Sequence, residues 1–463
     1  MSVPARLVSL LGPDRVFTES QILADHARDL STAPHIHERR GSEPSRPLCV
    51  IRPTSSIEIS EVLRWANETR TPVVPFGGGS GVVEGIAPKG AVVLDLGGLD
   101  EIGELDEKSR VVTAQAGVTG PSLHNFLLDK GLTTGHEPQS IDISTVGGWV
   151  ATRACGQLSA RYGGIEDLIV SLDAVLPNGD VVSSAGSPRR ATGPDVGSLL
   201  IGSEGALGVV TAATLRVFEL PVESAGCCIS FDHMADGVAA CRMLAQSDLG
   251  PSLVRLYDRE DTSIFLRNHP EPVPGPLLLV AFEGAGASSR RDIAVDRAGG
   301  AAADPSLVDY WRSHRNEVVS EYRSLLLGEG VLGPHPAVDT MEVSGRWSVL
   351  RNLYHSLKEA LEDKADIVGC HLSHVYPDGA CLYFTMASIC DDDDVALAVH
   401  ATWWEVGMNA CLEAGGSISH HHGIGRLKAR WLPQELGGWW EALRAVKGAL
   451  DPNNIMNPGV LGL

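Results

Sequence analysis

Three observations predict an α+β protein built in two parts. Short β-branched strands alternate with short amphipathic helices over the first 220 residues. A second region, from Cys227 onward, reads strand, helix, strand, strand pair, helix, the order expected of a separate α+β domain. Loops rich in glycine and hydroxyl residues are concentrated in the first part, and a segment from 425 to 463 closes the chain.

The elements follow in order. "MSVPARLVSLLGPDRV" has neither the long apolar core nor the small-residue cleavage site of a signal peptide, and reads as an opening amphipathic helix. Ser55 and Glu58 form a capping-box pattern, and Ile59, Val62, Leu63 and Ala66 follow at helical spacing. "TPVVPF", "AVVLDL" and "SRVVTAQAG" read as strands, and Pro121 stands where a helix favours proline in its first turn. Beyond the linker "LPVESAG", strands are expected at Cys227, at "PLLLVAFEG" and within "ADIVGCHLSHVYPDGACLYFTM", and a helix across "DVALAVHATWWEVGMNACLEAGG". The expected division is 1–220, 221–424 and 425–463, the last segment returning to the first domain.

Composition narrows the function. With 37 basic against 58 acidic residues the formal charge is -21, a field that repels nucleic acid and anionic membrane surfaces. An anionic substrate would therefore need locally placed arginines. No apolar run reaches the ~18 residues of a membrane span, so no integral membrane segment is expected. Nine scattered cysteines without a CxxC suit reduced thiols in a cytoplasmic protein.

"PFGGGSG", from Pro75 to Gly81, follows a strand but fits neither GxGxxG nor a P-loop, because Val82 breaks the first pattern and no Lys-Ser/Thr completes the second. What remains is a cluster of amides able to cradle an anion, or a tight turn. Two more such stretches, "HEPQSIDISTVGGWVATRACG" and "GSEGALGVV", favour an extended bound cofactor over three separate turns.

These loops, in this order, resemble the FAD-binding half of the vanillyl-alcohol oxidase and p-cresol methylhydroxylase superfamily, and "LDPNNIMNPGVL" resembles its C-terminal segment. "TGHEPQSIDISTVGGWVATRACG", "YGGIEDLIV", "PRRATGPD", "GSEGALGVVT", "YPDGACLYF" and "GGSISHHHGIGRLK" are similar to the alkyldihydroxyacetonephosphate synthase (alkylglycerone-phosphate synthase) branch. The resemblance implies a two-part FAD-binding domain with an α+β cap. It places FAD against Pro75, Phe76, Gly77, Gly78, Gly79, Ser80 and Gly81, then Pro138, Gln139, Ser140, Ile141, Asp142, Ile143 and Ser144. Further contacts fall on Ala151, Thr152, Arg153 and Ala154, and on Glu204, Gly205, Ala206, Leu207, Gly208, Val209 and Val210. Relatives with covalent flavin carry a histidine in the glycine loop; Ser80 and Gly81 stand here, so noncovalent FAD is expected.

The same resemblance assigns catalysis to Tyr383 and to His420, His421 and His422, and substrate binding to Arg255 and Arg323, with Arg323 placed to meet the substrate's anionic end. The implied chemistry exchanges the acyl group of an acylated ketone phosphate for an alkyl group through flavin N5, as in ether lipid biosynthesis. The alternative is an FAD-dependent oxidase or dehydrogenase of a small 2-hydroxy acid or alcohol; a catalytically silent binding protein is a third reading. Oxidising relatives carry glutamate where His421 stands, which argues against metal-assisted hydroxy-acid oxidation. Three adjacent histidines cannot comfortably share one metal, so no metal is expected. A neutral histidine can carry protons near pH 7, whereas Tyr383 could act as a base only if neighbouring cations lower its pKa. His371 and His374, three apart in an expected strand, should face opposite ways. "GPHPAVDTMEV" reads as an insertion relative to the synthases, and His371 stands at an arginine-like position. The expected partners are a small anionic substrate and a second copy of the chain in a homodimer, with no nucleic acid.

Overall fold

The structure is a computed structural model that describes residues 2–42, 45–184, 186–187, 189–270, 273 and 275–463. Pro188, which opens the string "PRRATGPD", lies outside the described residues. The α+β expectation holds: two sheets in the first part and one large sheet in the second carry most of the strands.

In the first part, Cys49–Ile51, Val92–Asp95 and Val73–Phe76 pair in parallel, and Val16–Phe17 adds an antiparallel edge. Cys49–Ile51 and Val92–Asp95 are buried along their whole length, as strands covered on both faces must be. The helix Ser56–Thr69 covers this sheet with Ile59, Val62, Leu63 and Ala66, and Ser55 caps it by accepting the Glu58 amide at 3.3 Å. The opening helix Val3–Leu11 contributes Leu7 and Leu11 to the same core. A five-stranded antiparallel sheet follows, in the order Ile102–Asp106, Val111–Gln115, Val209–Arg216, Ile169–Val175, Val181–Ser183.

The second part is a seven-stranded antiparallel sheet in the order Ala301–Ala303, Ser224–Ser230, Leu277–Glu283, Leu253–Tyr257, Ile367–Ser373, Gly379–Ile389, Pro336–Arg346. "GPHPAVDTMEV" runs from Pro336 into an edge strand, Pro336–Arg346, which pairs along its whole length with Gly379–Ile389. Likewise Ser224–Gly226, read as linker, already belongs to a strand. Trp347–Glu362 and Asp393–Glu413 pack on one face, where Val254, Leu256, Cys370, Leu372, Leu382, Phe384, Met341 and Val343 form a single core with them.

Period-two alternation then dictates the other face. Arg255 lies between Val254 and Leu256, His371 between Cys370 and Leu372, Tyr383 between Leu382 and Phe384, and Glu342 between Met341 and Val343. The register sets Tyr257 beside His371, His371 beside Tyr383 and Tyr383 beside Glu342. One sheet face thus carries the polar row.

Two segments join the halves. The helix Thr32–Arg39 buries Ile36 in the core of the second part, Thr32 Oγ1 donates to the Val338 carbonyl at 2.7 Å, and Arg39 pairs with Asp393 at 2.8 Å. At the other end, Val73 N donates to the Ile455 carbonyl at 2.7 Å and Asn457 N to the Val73 carbonyl at 2.9 Å, which extends the first sheet.

Candidate functional site

A cavity of about 1250 Å³ runs between the glycine loops and the polar face of the large sheet. Its first wall is set by close backbone packing. A Cβ on Gly78 would run into the Ile143 carbonyl oxygen, and one on Gly77 would come within 2.7 Å of Thr145 Oγ1. Gly79 has φ +65° and Gly205 φ +77°, left-handed values that glycine adopts without strain. The loops therefore close on one another with bare backbone toward the cavity, a surface suited to a long anionic cofactor.

All seven residues from Pro75 to Gly81 line this cavity, as do Pro138, Gln139, Ser140, Ser144, Ala151, Thr152, Ala154, Glu204, Gly205, Gly208, Val209 and Val210. Ile141, Asp142, Ile143, Arg153, Ala206 and Leu207 do not; Ala206 and Leu207 are buried in the core behind it. The lining also includes Asp29, Thr145, Gly147, Gly148 and Asn457, which sequence reasoning missed. The Asp29 carboxylate accepts the Gly85 amide at 2.8 Å, and burial raises its pKa to about 6.

The second wall holds Arg255, His371, His374, Tyr383, His421 and His422. His371 stacks on Tyr383 with ring centres 4.6 Å apart, and His422 meets the Tyr383 edge at 5.3 Å. The expectation that His371 and His374 face opposite ways fails. The strand ends at Ser373 and His374 takes φ +49°, which turns its ring back to the same cavity. His420 does not line the cavity; it accepts or donates to Tyr376 Oη at 3.0 Å and to His421 Nδ1 at 3.0 Å. Arg323 is exposed and outside the lining, so the structure does not bring it into this group. Arg315, eight positions earlier in the sequence, lines the cavity instead.

The histidine loop is held by two carboxylates that sequence reasoning did not connect with it. Glu342 accepts Ser419 Oγ at 2.6 Å, the His422 amide at 2.9 Å and the His420 amide, and pairs with Lys428 at 3.2 Å. Glu342 and Lys428 are both 0% exposed. Burial alone would raise the Glu342 pKa, but Lys428, the histidines and Ser419 hold it well below the ordinary range, so it stays ionised. From the other half, Glu204 accepts the Ile424 amide at 2.7 Å and the Gly425 amide at 2.8 Å, and burial raises its pKa to about 7. Its side chain is thus an anchor of the loop as well as a lining group.

Burial sets the protonation of the second wall. It pushes His421 well below its usual range and His422 to about 4, with the neighbouring carboxylate Glu342 opposing, so both rings are neutral near pH 7. His422 Nδ1 has no hydrogen-bond partner among the described residues. Burial also pushes the Tyr383 hydroxyl up, and Thr340 and Arg255 pull it only partly back. The lowering that would make Tyr383 a resting base does not occur, because desolvation outweighs the nearby cation.

Arg255 donates to Tyr257 Oη at 2.7 Å, Gln157 Oε1 at 3.1 Å and His371 Nε2 at 2.8 Å. A guanidinium has only donors, so His371 accepts at Nε2 and carries its proton on Nδ1, which donates to Asp261 at 2.7 Å. Cys155, His374 and His420, and separately Cys381, His420 and His421, bring possible metal-ligand atoms within 4.8 Å of one another. The spacing of the triplet could not reveal these donors, which come from distant residues. All nine cysteines are free, and among the described residues no helix is long and apolar enough to cross a membrane.

Comparison with known proteins fits this geometry. Residues 47–185 match the FAD binding domain family and 221–461 the C-terminal domain of FAD linked oxidases. An uncharacterized FAD-linked oxidoreductase of Escherichia coli (strain K12), YgcU, is 32% identical across 98% of this chain and 97% of its own length. Alkyldihydroxyacetonephosphate synthase of Caenorhabditis elegans is 30% identical over 91% of this chain and 76% of its own. A solved structure of an alkyldihydroxyacetonephosphate synthase, 24% identical, superposes with a TM-score of 0.78 over 98% of this chain and 84% of that one.

Proposed function

Because this chain belongs to the vanillyl-alcohol oxidase and p-cresol methylhydroxylase family of FAD-dependent enzymes, we propose that it exchanges the acyl group of an acylated ketone phosphate, or a related ester, for an alkyl group. One observation carries this reading: Tyr383, His421, His422 and Arg255 converge on the cavity wall opposite the glycine loops. FAD, when bound, supplies the electrophilic and electron-accepting chemistry.

The residues of this chain would handle charge and protons. Arg255 would hold the substrate's anionic end. Neutral His422 would take a proton from the carbon that bears the ester and return one to that carbon once the ether bond has formed. Tyr383, which keeps its own proton at rest, would donate to the departing carboxylate and recover a proton from the incoming alcohol. One carbon–oxygen bond breaks and another forms, so the net reaction consumes no oxidant. Tyr383 thus does not act as the resting base that a cation-lowered pKa would have allowed.

The runner-up, oxidation of a small 2-hydroxy acid or alcohol, draws on the same neutral histidines and on the oxidoreductase name of the Escherichia coli relative. An anaerobic visible spectrum separates the two. The proposal expects alkyl-for-acyl exchange from an acylated ketone phosphate and a fatty alcohol while the oxidised flavin spectrum persists. Lasting bleaching by a D-2-hydroxy acid, with no exchange product, would overturn it. In His422→Gln, which removes the proton acceptor, exchange should fall by about 100-fold or more.

A further inference from the structure

We propose that Arg315 joins Arg255 in a subsite for a carboxylate or phosphate group of the substrate, with the Trp311 indole as its wall. The inference rests on reading the cavity as a substrate site beside FAD, and is independent of the acyl-exchange chemistry.

Arg255 is 7% exposed, and its three hydrogen-bond partners, Tyr257, Gln157 and His371, are all neutral. Among the described residues no carboxylate forms an ion pair with it. A guanidinium has five N–H donors, and three are used here. Its nearest counter-charge, Asp261, reaches it only through His371, so two guanidinium N–H groups stay free to take up an anion that enters the cavity.

Arg315 supplies the second cation. It sits at the junction between the helices Ser306–His314 and Glu317–Leu326, where Gln139 Nε2 donates to its carbonyl at 3.0 Å. That bond fixes the junction against the second glycine-rich loop. The guanidinium carbons of Arg255 and Arg315 lie 5.8 and 5.6 Å from the centre of the Trp311 ring, which is 4% exposed. Each guanidinium feels the other, and both line the cavity. Arg315 pairs with Glu137 at 2.8 Å, but a planar fork can keep that carboxylate on one edge and receive an anion on the other. The placement matters on a chain with net charge -21, which otherwise repels anions. It also lies beside the reacting residues, since Arg255 bonds His371 and His371 stacks on Tyr383.

The same chemistry would suit the pyrophosphate of FAD, and the test distinguishes the two. Purified FAD-loaded protein is titrated with inorganic phosphate and, separately, with oxalate at constant ionic strength, reading the visible flavin spectrum. A saturable perturbation is expected. Arg315→Met should weaken it at least tenfold and Arg315→Lys less, with FAD content per chain unchanged. Glu137→Gln, which leaves the guanidinium in place without its carboxylate, should tighten anion binding several-fold and guards against a variant that merely misfolds. The proposal is overturned if the unsubstituted protein shows no saturable response to either anion. It is equally overturned if Arg315→Met stays within twofold, if Glu137→Gln has no effect, or if FAD content falls in step with the anion response. Failure of the exchange reaction itself would leave this titration unaffected.

Discussion

At Glu342 one carboxylate accepts from Ser419 Oγ, two loop amides and the Lys428 ammonium in a site closed to water. Its role is to position histidines, since it reaches the cavity only through the loop it holds. Glu342→Gln removes the charge, leaves Lys428 buried and unpaired, and should destabilise the protein by about 3–5 kcal/mol. Denaturant unfolding of the FAD-loaded protein checks this, and a loss below about 1 kcal/mol would show that the charge is not the anchor. Nothing local marks Glu342 in the sequence. It sits in a stretch that looked like an insertion, and its partners lie 77 to 86 residues further on. Tyr383 was legible by resemblance, but its protonation was not, because the desolvation that decides it comes from residues far apart in the chain.

At the scale of elements, the glycine loops were readable because backbone approach leaves a residue-type signature. Gly78 is the sharpest instance: its φ is unremarkable, and what excludes a side chain there is the carbonyl of Ile143. Gly78→Ala should therefore separate the two loops and lower FAD affinity at least tenfold, measured by reconstituting the apoprotein with FAD. Gly448→Ala, in the helix Trp439–Leu450 with nothing near its added Cβ, is the control; it should keep FAD and gain about 0.5–1 kcal/mol of stability. Strands of the large sheet were equally legible, since β-branched and apolar runs such as "LLLVAF" fit little else. Helix faces were less so. Arg315 and Arg323 lie eight residues apart on either side of a helix junction, and only the break between Ser306–His314 and Glu317–Leu326 decides which one faces the cavity.

Across the whole molecule, Glu204 ties the FAD-binding half to the histidine loop, and its ionisation couples that tie to pH. Its folded pKa is about 7 against an ordinary 4.5, so between those values the unfolded chain has lost a proton that the folded chain keeps. Stability contributed by this group therefore falls as pH rises from about 4.5 to about 7. His422 acts oppositely: its pKa falls from 6.5 to about 4, so its contribution rises with pH across that interval. Glu204→Gln should remove the falling limb and leave a steeper rise in stability between about pH 5 and pH 6.5. Urea midpoints at several pH values test it; an unchanged profile would sink the assignment.

The joining of the first sheet to Ile455 and Asn457, and of Thr32 to Val338, also governs how the molecule can be assembled during synthesis. Thr32 meets a partner 306 residues downstream, which at ~5–20 residues per second appears roughly 15–60 s after it. Val73 waits longer still, for Ile455 and Asn457. The half that binds the cofactor thus stays open until residue 457 has been made, and the wall that includes Asn457 cannot close before then.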